Sequence, residues 1–156
     1  MEEHLKSRPK KTPFSEVLQE ELKERAIEKI KKKLLPDEKI IKIVLIGSVV
    51  KKTFGKYEPP GFRGSLFSDF DFIIFVEDDY EIPNWLEREP DGKPFPTEEL
   101  NLAYRKRSFL DDKFDAEVFF IKRKNMTDEI IQEQGELAGI PMSADSKHPH
   151  INCFSK

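Results

Sequence analysis

Hydrophobic residues in the first quarter of the chain repeat at the spacing of an α-helix. Five of them recur every four residues and therefore share one helical face: Leu18, Leu22, Ala26, Ile30 and Leu34. Thr12 or Ser15 can cap this helix, with Pro13 in its first turn, and Pro36 ends it. The pattern predicts an amphipathic helix that packs on a core, after a frayed polar segment at residues 1–12.

Three apolar segments rich in β-branched and aromatic residues follow the helix. Residues 40–46 are nearly all apolar, which is typical of a buried strand. Residues 69–76 begin with two acids and continue as an apolar run, and residues 114–121 alternate between acidic and apolar positions. We predict one strand in each segment.

Further helices are predicted between and after these strands. Thr97 can cap a helix that runs to about Ser108, and Thr127 begins a last helix that ends at Leu137 or Ala138. A short helix is also predicted to start within residues 49–54. The remaining segments are predicted to be loops or flexible tails: residues 55–64, 77–96 and about 142–156.

The order of these elements determines the expected fold class. Helix, strand, helix, strand, helix, strand, helix is typical of an α/β or α+β fold in which helices cover one small sheet. A chain of 156 residues is long enough to bury such a core. We therefore predict a single domain over residues 1–156.

Composition and charge narrow the classes of function. The formal net charge is −3, whereas a general nucleic-acid binder normally has a basic excess, so we do not expect general nucleic-acid binding. The single cysteine, Cys153, allows no disulfide framework within the chain. Because the sequence shows neither an apolar signal segment nor a run of about 20 apolar residues, we expect a cytoplasmic protein without a membrane partner.

Asp69 and Asp71 are the first candidate site residues. Residues i and i+2 of a strand point to the same face, about 6.5–7 Å apart, so the two carboxylates can converge on one or two divalent cations. Such ions hold the attacking and leaving oxygens in phosphoryl transfer, and Mg²⁺ suits a site with few carboxylates. The simpler alternative is a strand whose first residues are exposed.

Gly47 and Ser48 end the first strand and form a second candidate. Glycine permits a tight turn and the close approach of a phosphate, and the Ser48 hydroxyl can donate to a phosphate oxygen. If a helix starts here, its free N–H groups also favour an anion. An ordinary turn explains the same residues.

The third strand contributes another pair of acids. Asp115 and Glu117 share one face, and either can complete the metal site or act as a general base on an acceptor hydroxyl. A half-exposed strand with one polar face is the alternative interpretation.

These motifs together resemble the DNA polymerase beta-like nucleotidyltransferase superfamily. The resemblance rests on Ile46-Gly47-Ser48 after an apolar strand, then on Ser68-Asp69-Phe70-Asp71-Phe72, and then on Phe114-Asp115-Ala116, which fits best as the family's third acid. It covers roughly residues 40–121. The spacer between Ser48 and Asp69 is longer than usual for the family, and the Pro59-Pro60-Gly61 loop accounts for the excess as an insertion beside the site.

The resemblance implies a small mixed sheet flanked by helices and a metal-dependent transfer of a nucleoside monophosphate from a nucleoside triphosphate. Asp69, Asp71 and Asp115 would bind Mg²⁺ or Mn²⁺, and Glu117 would act as a base. The turn residues Gly47 and Ser48 would hold the triphosphate. Its negative charge would be neutralised by nearby basic side chains, for which the candidates are Lys51, Lys52 and Arg63.

The acceptor is expected to be a small molecule or a protein, because the chain is too short to carry the RNA-binding domains of polymerising relatives. The alternative is a non-catalytic module of the same fold that binds a nucleotide or a small helical protein partner, as in toxin–antitoxin pairs. Oligomeric state and base preference stay open.

Overall fold

The long helix predicted from the hydrophobic repeat is present. The computed structural model describes residues 10–58, 66–88, 103–126, 129, 133 and 149–156. Helix α1 spans Glu16–Leu34, and the backbone N–H of Leu18 donates to the Ser15 hydroxyl oxygen at 3.2 Å, so Ser15 is the N-cap. Four of the five repeated residues are buried: Leu22, Ala26, Ile30 and Leu34.

The start of the chain differs from the prediction. Strand β1 (Lys10–Pro13) takes the place of the last three residues of the predicted frayed segment and of Pro13 in the first helical turn, and it pairs antiparallel with β3 (Gly55–Glu58) in a two-stranded sheet. Strand β3 in turn occupies part of the predicted loop at 55–64. The pairing is close, since a Cβ at Gly55 would overlap the Thr12 carbonyl oxygen. Residues 1–9 lie outside the described part of the chain.

In the described part of the chain the main sheet has six strands and mixed direction, which confirms the predicted class of a small mixed α/β, or α+β, fold. Its order is β5-β6-β7-β4-β2-β8; β4 and β7 are parallel, and the other neighbours are antiparallel. The strands are β2 (Ile40–Ile46), β4 (Phe70–Val76), β5 (Glu87–Arg88), β6 (Ala103–Leu110), β7 (Phe114–Lys122) and β8 (Ile151–Ser155).

The sheet separates two hydrophobic clusters because side chains alternate along each strand. Helix α1 packs on one face, where its apolar stripe joins alternate residues of the central strands, including Phe72 and Val118. The opposite face carries a smaller cluster formed by Val44, Ile73, Phe75 and Ile121 with neighbours. The acidic residues of β4 and β7 have the parity of this second face, away from α1.

Two segments predicted to be non-strand are strands. Residues 103–108 of the predicted helix 97–108 belong to β6, and residues 97–102 lie outside the described residues. The tail predicted to be flexible contains β8, which pairs with β2. The partner of β8 lies far away in sequence, so local signals in the tail did not reveal it. Strand β6 forms a hairpin with the neighbouring β7, and this pairing overrides the local helix signal. The two-residue strand β5 likewise interrupts the predicted loop at 77–96.

The other predicted helices have different outcomes. Residues 49–54 form turns rather than a helix, because Lys52 has a positive φ of 62° and Phe54 enters the core. A short helix, α2 (Arg123–Met126), follows β7. The helix predicted from Thr127 lies outside the described residues except for Glu129 and Glu133, which are helical.

The side chain of Gln19, in helix α1, makes hydrogen bonds to the segment after β2. Its side chain is buried; Nε2 donates to the carbonyl oxygens of Phe14 at 2.7 Å and of Lys52 at 3.2 Å, and Oε1 accepts from the Phe54 N–H at 3.1 Å. One amide therefore satisfies two backbone groups after β2, at Lys52 and Phe54, and one before α1, at Phe14.

We expect Gln19→Ala to lower the free energy of unfolding by about 2–4 kcal/mol, because it leaves these buried polar groups without hydrogen-bond partners. Urea denaturation measures the change. The exposed neighbour provides the control: Glu20→Ala should change stability by less than about 1 kcal/mol. Equal losses in the two variants would contradict the role given to Gln19.

Within the described ranges, no helix is both long enough and apolar enough to cross a membrane.

Candidate functional site

The predicted site residues meet at one end of the sheet. Strand β2 ends at Ile46 where the antiparallel β4 begins, and β7 runs parallel to β4. In the resulting register Asp71 lies between Ile46 on one side and Glu117 on the other. The turn after β2 and the acids at the start of β4 and β7 are therefore neighbours.

Three half-buried acids face one another at this end: Asp69, Asp71 and Glu117. One carboxylate oxygen from each lies within 4.8 Å of the other two. A set of hard oxygen donors with few carboxylates is the kind of site that Mg²⁺ or Mn²⁺ takes, with substrate oxygens completing the coordination. These three acids form what we call the acid group.

Asp115, which was predicted as the third metal ligand, lies outside the acid group. Its Oδ1 accepts from the Ser108 backbone N–H at 2.9 Å, and its Oδ2 accepts from Arg105 Nη1 at 3.2 Å. Ser108 has a positive φ of 53° at the irregular part of β6, so Asp115 stabilises a strained backbone position. The geometry favours Glu117, two residues further along β7, as the third donor.

The backbone conformation at position 47 and its close contact with Asp71 explain why a glycine follows β2. Its φ is +84°, in the region that L residues rarely adopt. A Cβ here would lie 3.2 Å from Asp71 Cγ and far inside the contact distance of Asp71 Oδ2. The glycine therefore leaves room for this carboxylate.

Arg105 is a site residue that the sequence analysis missed. Its Nη2 donates to Asp69 Oδ2 at 3.2 Å and to Glu117 Oε2 at 3.3 Å, while Nη1 reaches Asp115. Only 11% of its side chain is exposed. The segment was predicted to be a helix that runs to about Ser108; in a strand opposite Glu117, position 105 instead points to the acids.

Burial makes ionisation of the Asp69 and Asp71 carboxyl groups unfavourable. Burial raises the pKa of Asp71 well above its usual range, and the negative charges of Glu117 and Asp69 raise it further. Burial also raises the pKa of Asp69, although the nearby Arg105 guanidinium opposes this shift. Concentrated negative charge of this kind is typical of functional sites, where a cation offsets it.

The raised pKa of Asp71 predicts a pH dependence of stability without metal. Because the folded-state pKa lies above the unfolded value, Asp71 is neutral in both states below about pH 4 and costs no stability there. The cost appears as the pH rises toward the folded-state pKa of Asp71 and then levels off.

In EDTA, we expect the stability advantage of Asp71→Asn over the natural chain to grow as the pH rises from 4 to 8. Urea unfolding of both proteins across this range measures it. Saturating Mg²⁺ should reduce the difference. An advantage that does not change with pH would contradict the assignment.

Only some of the residues predicted to bind the nucleotide lie close to the acid group. Gly47 and Ser48 lie beside Asp71, where the backbone N–H groups of Val50 and Lys51 donate to the Gly47 carbonyl oxygen in a tight turn. No contact joins Lys51 or Lys52 to the acid group in the part of the chain that the structure describes. Arg63 lies outside that part.

Ser68 has a structural role next to the site. It is buried; its hydroxyl oxygen accepts from the Gly55 N–H at 3.0 Å, and its own N–H donates to the Gly55 carbonyl oxygen at 2.9 Å. The residue before the first acid thus joins the start of β4 to β3 and fixes where Asp69 enters the site.

The single cysteine, Cys153, lies in β8. Burial raises the pKa of its thiol to about 11, so this cysteine stays protonated near neutral pH.

Comparison of the chain with protein-family models, with curated proteins and with solved structures found no match. The function of the chain is therefore inferred from its sequence motifs and from the geometry of the acid group.

Proposed function

We propose that the protein is a metal-dependent nucleotidyltransferase, which moves a nucleoside monophosphate from a nucleoside triphosphate to a small-molecule or protein acceptor and releases pyrophosphate. The observation that carries the proposal is the convergence of Asp69, Asp71 and Glu117 within 4.8 Å, beside the Gly47 turn. The order of these motifs along the chain, with its resemblance to the nucleotidyltransferase superfamily, gives the acid group its chemical interpretation.

The roles follow from the donor set. Asp69, Asp71 and Glu117 would hold Mg²⁺ or Mn²⁺, which supplies charge stabilisation at the phosphates when bound. The turn at Gly47 and Ser48 would lie against the triphosphate, since glycine permits close approach. The acceptor hydroxyl oxygen attacks the α-phosphorus, pyrophosphate leaves, and the hydroxyl proton passes to a nearby carboxylate.

A non-catalytic module is the second candidate, and one observation favours it. Arg105 already pairs with Asp69, Asp115 and Glu117, so a guanidinium partly neutralises the acids without any metal. A protein that uses this network only to stabilise its fold could bind a nucleotide or a small helical protein partner without transferring anything. The two candidates differ in whether a divalent cation binds.

Thermal unfolding with ATP, GTP, CTP and UTP, each with and without Mg²⁺, tests the proposal. A ligand at a hundred times its dissociation constant stabilises the native state by about 2.7 kcal/mol. We expect a Mg²⁺-dependent rise of the unfolding midpoint that Asp69→Asn/Asp71→Asn abolishes and Asp79→Asn, at an exposed acid, preserves. No rise with any millimolar triphosphate would favour a non-catalytic module that binds a protein partner.

The nucleotide that gives the largest rise identifies the label for an acceptor screen. The same protein incubated with that α-labelled triphosphate and a cell extract should transfer label to a small molecule or to a protein. The cytoplasmic location predicted from the sequence stays a prediction.

A further inference from the structure

Arg105 occupies a position that a bound cation would require. It stands opposite Glu117 in the register of β6 and β7, and its Nη2 lies between two members of the acid group, Asp69 and Glu117. The oxygens it contacts, Asp69 Oδ2 and Glu117 Oε2, belong to carboxylates that the acid group offers to a metal. One nitrogen therefore bridges two prospective ligands.

A guanidinium nitrogen and a divalent cation compete for these carboxylates when both bridge the oxygens Asp69 Oδ2 and Glu117 Oε2. Mg²⁺ binds oxygen at about 2.0–2.1 Å, so an ion shared by this pair of oxygens would lie close to the nitrogen that already contacts both. The two positive charges also repel each other in a partly buried place, where screening by water is weak. Metal binding and the contacts of Nη2 should therefore compete.

Asp115 gives the guanidinium a second attachment. Its Oδ2 accepts from Arg105 Nη1, and its Oδ1 is fixed by the Ser108 N–H, so Asp115 is held by backbone and lies outside the acid group. Loss of the Nη2 contacts would leave this attachment in place. Released guanidinium N–H groups match the oxygens of a phosphate, which arginine binds through paired hydrogen bonds.

We infer that Arg105 is a resident counter-cation of the acid group: a divalent cation displaces its Nη2 from Asp69 and Glu117, Asp115 retains Nη1, and the released N–H groups bind a phosphate of the nucleoside triphosphate. This inference rests on the proposed function. It makes Arg105 a substrate-binding residue and Asp115 its positioning residue.

Mn²⁺ binding to Arg105→Gln tests the inference in the absence of nucleotide. The spectroscopic signal of free aqueous Mn²⁺ measures how much metal the protein takes up. The matched control is Arg107→Gln, which removes an equal charge at an exposed side chain of the same strand. We expect Arg105→Gln to bind Mn²⁺ at least about tenfold more tightly than Arg107→Gln, a change of about 1.4 kcal/mol.

Nucleotide affinity provides the opposite readout. At saturating Mn²⁺, ATP and the other three triphosphates should bind Arg105→Gln at least about tenfold more weakly than Arg107→Gln. Arg105→Lys keeps the charge without the paired N–H groups, and it serves as the second variant if Arg105→Gln fails to fold. It should show nearly natural Mn²⁺ affinity and weakened nucleotide binding.

The outcomes separate the inference from the proposed function. Equal or weaker Mn²⁺ binding by Arg105→Gln, in a chain that does bind Mn²⁺ and nucleotide, overturns the inference alone. Tighter Mn²⁺ binding with unchanged nucleotide affinity overturns the phosphate-binding role. Failure of the natural chain and of every variant to bind millimolar Mn²⁺ overturns both the inference and the proposed function.

Discussion

Asp71→Asn is expected to stabilise the metal-free protein and to abolish its stabilisation by Mn²⁺. The substitution keeps the shape of the side chain but removes the charge that burial, Glu117 and Asp69 make unfavourable. A gain of about 0.5–2 kcal/mol in the free energy of unfolding at pH 8 is typical when an unfavourable charge at a functional position is removed. The loss of metal binding follows because the acid group then has only two carboxylates.

Urea denaturation in EDTA and in millimolar Mn²⁺ measures both effects in one experiment. Asp79→Asn is the control, because this exposed acid pairs with Lys39 far from the acid group. It should leave the response to Mn²⁺ unchanged. If Asp71→Asn destabilised the metal-free protein and still responded to Mn²⁺, Asp71 would be a structural acid and the site would have to lie elsewhere.

Gly47→Ala is expected to lower the free energy of unfolding by about 2–4 kcal/mol and to weaken Mn²⁺ binding. Part of the loss comes from the positive φ of 84°, which costs an L residue about 1–2 kcal/mol. The rest comes from the clash of the new Cβ with the Asp71 carboxylate. That carboxylate must move, and the acid group is then no longer arranged around one point.

A double-mutant cycle with Asp71→Ala separates the two causes. Removal of the carboxylate relieves the clash, so Gly47→Ala should cost only the backbone strain of about 1–2 kcal/mol in that background. The same cost in both backgrounds would show that the glycine serves the turn alone. Gly47 would then have no role in arranging the acid group.

The strands that hold the site were predictable from the sequence because their hydrophobic patterns are strong. Strands β2, β4 and β7 lie where apolar or alternating segments predicted them, and α1 follows its four-residue repeat. The convergence of the Gly47 turn with Asp69 and Asp71 was also expected from the motif. Side-chain period and turn chemistry are local properties, and the sequence shows them directly.

The partners across the sheet were not predictable in the same way. The choice between Asp115 and Glu117 depends on the register of β7 against β4, which places Glu117 and not Asp115 beside Asp71. Both acids have the same parity, so alternation alone does not distinguish them. Register is set by the packing of the whole sheet.

Arg105 was missed because its segment was assigned to a helix. The run from Ala103 to Leu110 is a strand, and its alternation places Tyr104 against Phe120 while Arg105 faces the acids. Polar and basic residues with acids before them gave a helix signal that pairing with β7 overrides. A strand assignment would have predicted Arg105 as a partner of the acids.

Anomalous X-ray diffraction from crystals grown with Mn²⁺ and a non-hydrolysable ATP analogue would show directly whether the acid group holds a metal ion. We expect a manganese peak bonded at about 2.0–2.2 Å by carboxylate oxygens of Asp69, Asp71 and Glu117, with analogue phosphates completing the coordination and Arg105 Nη2 moved from the acids. Manganese bound to the analogue alone, with Arg105 still paired to Asp69 and Glu117, would contradict this expectation.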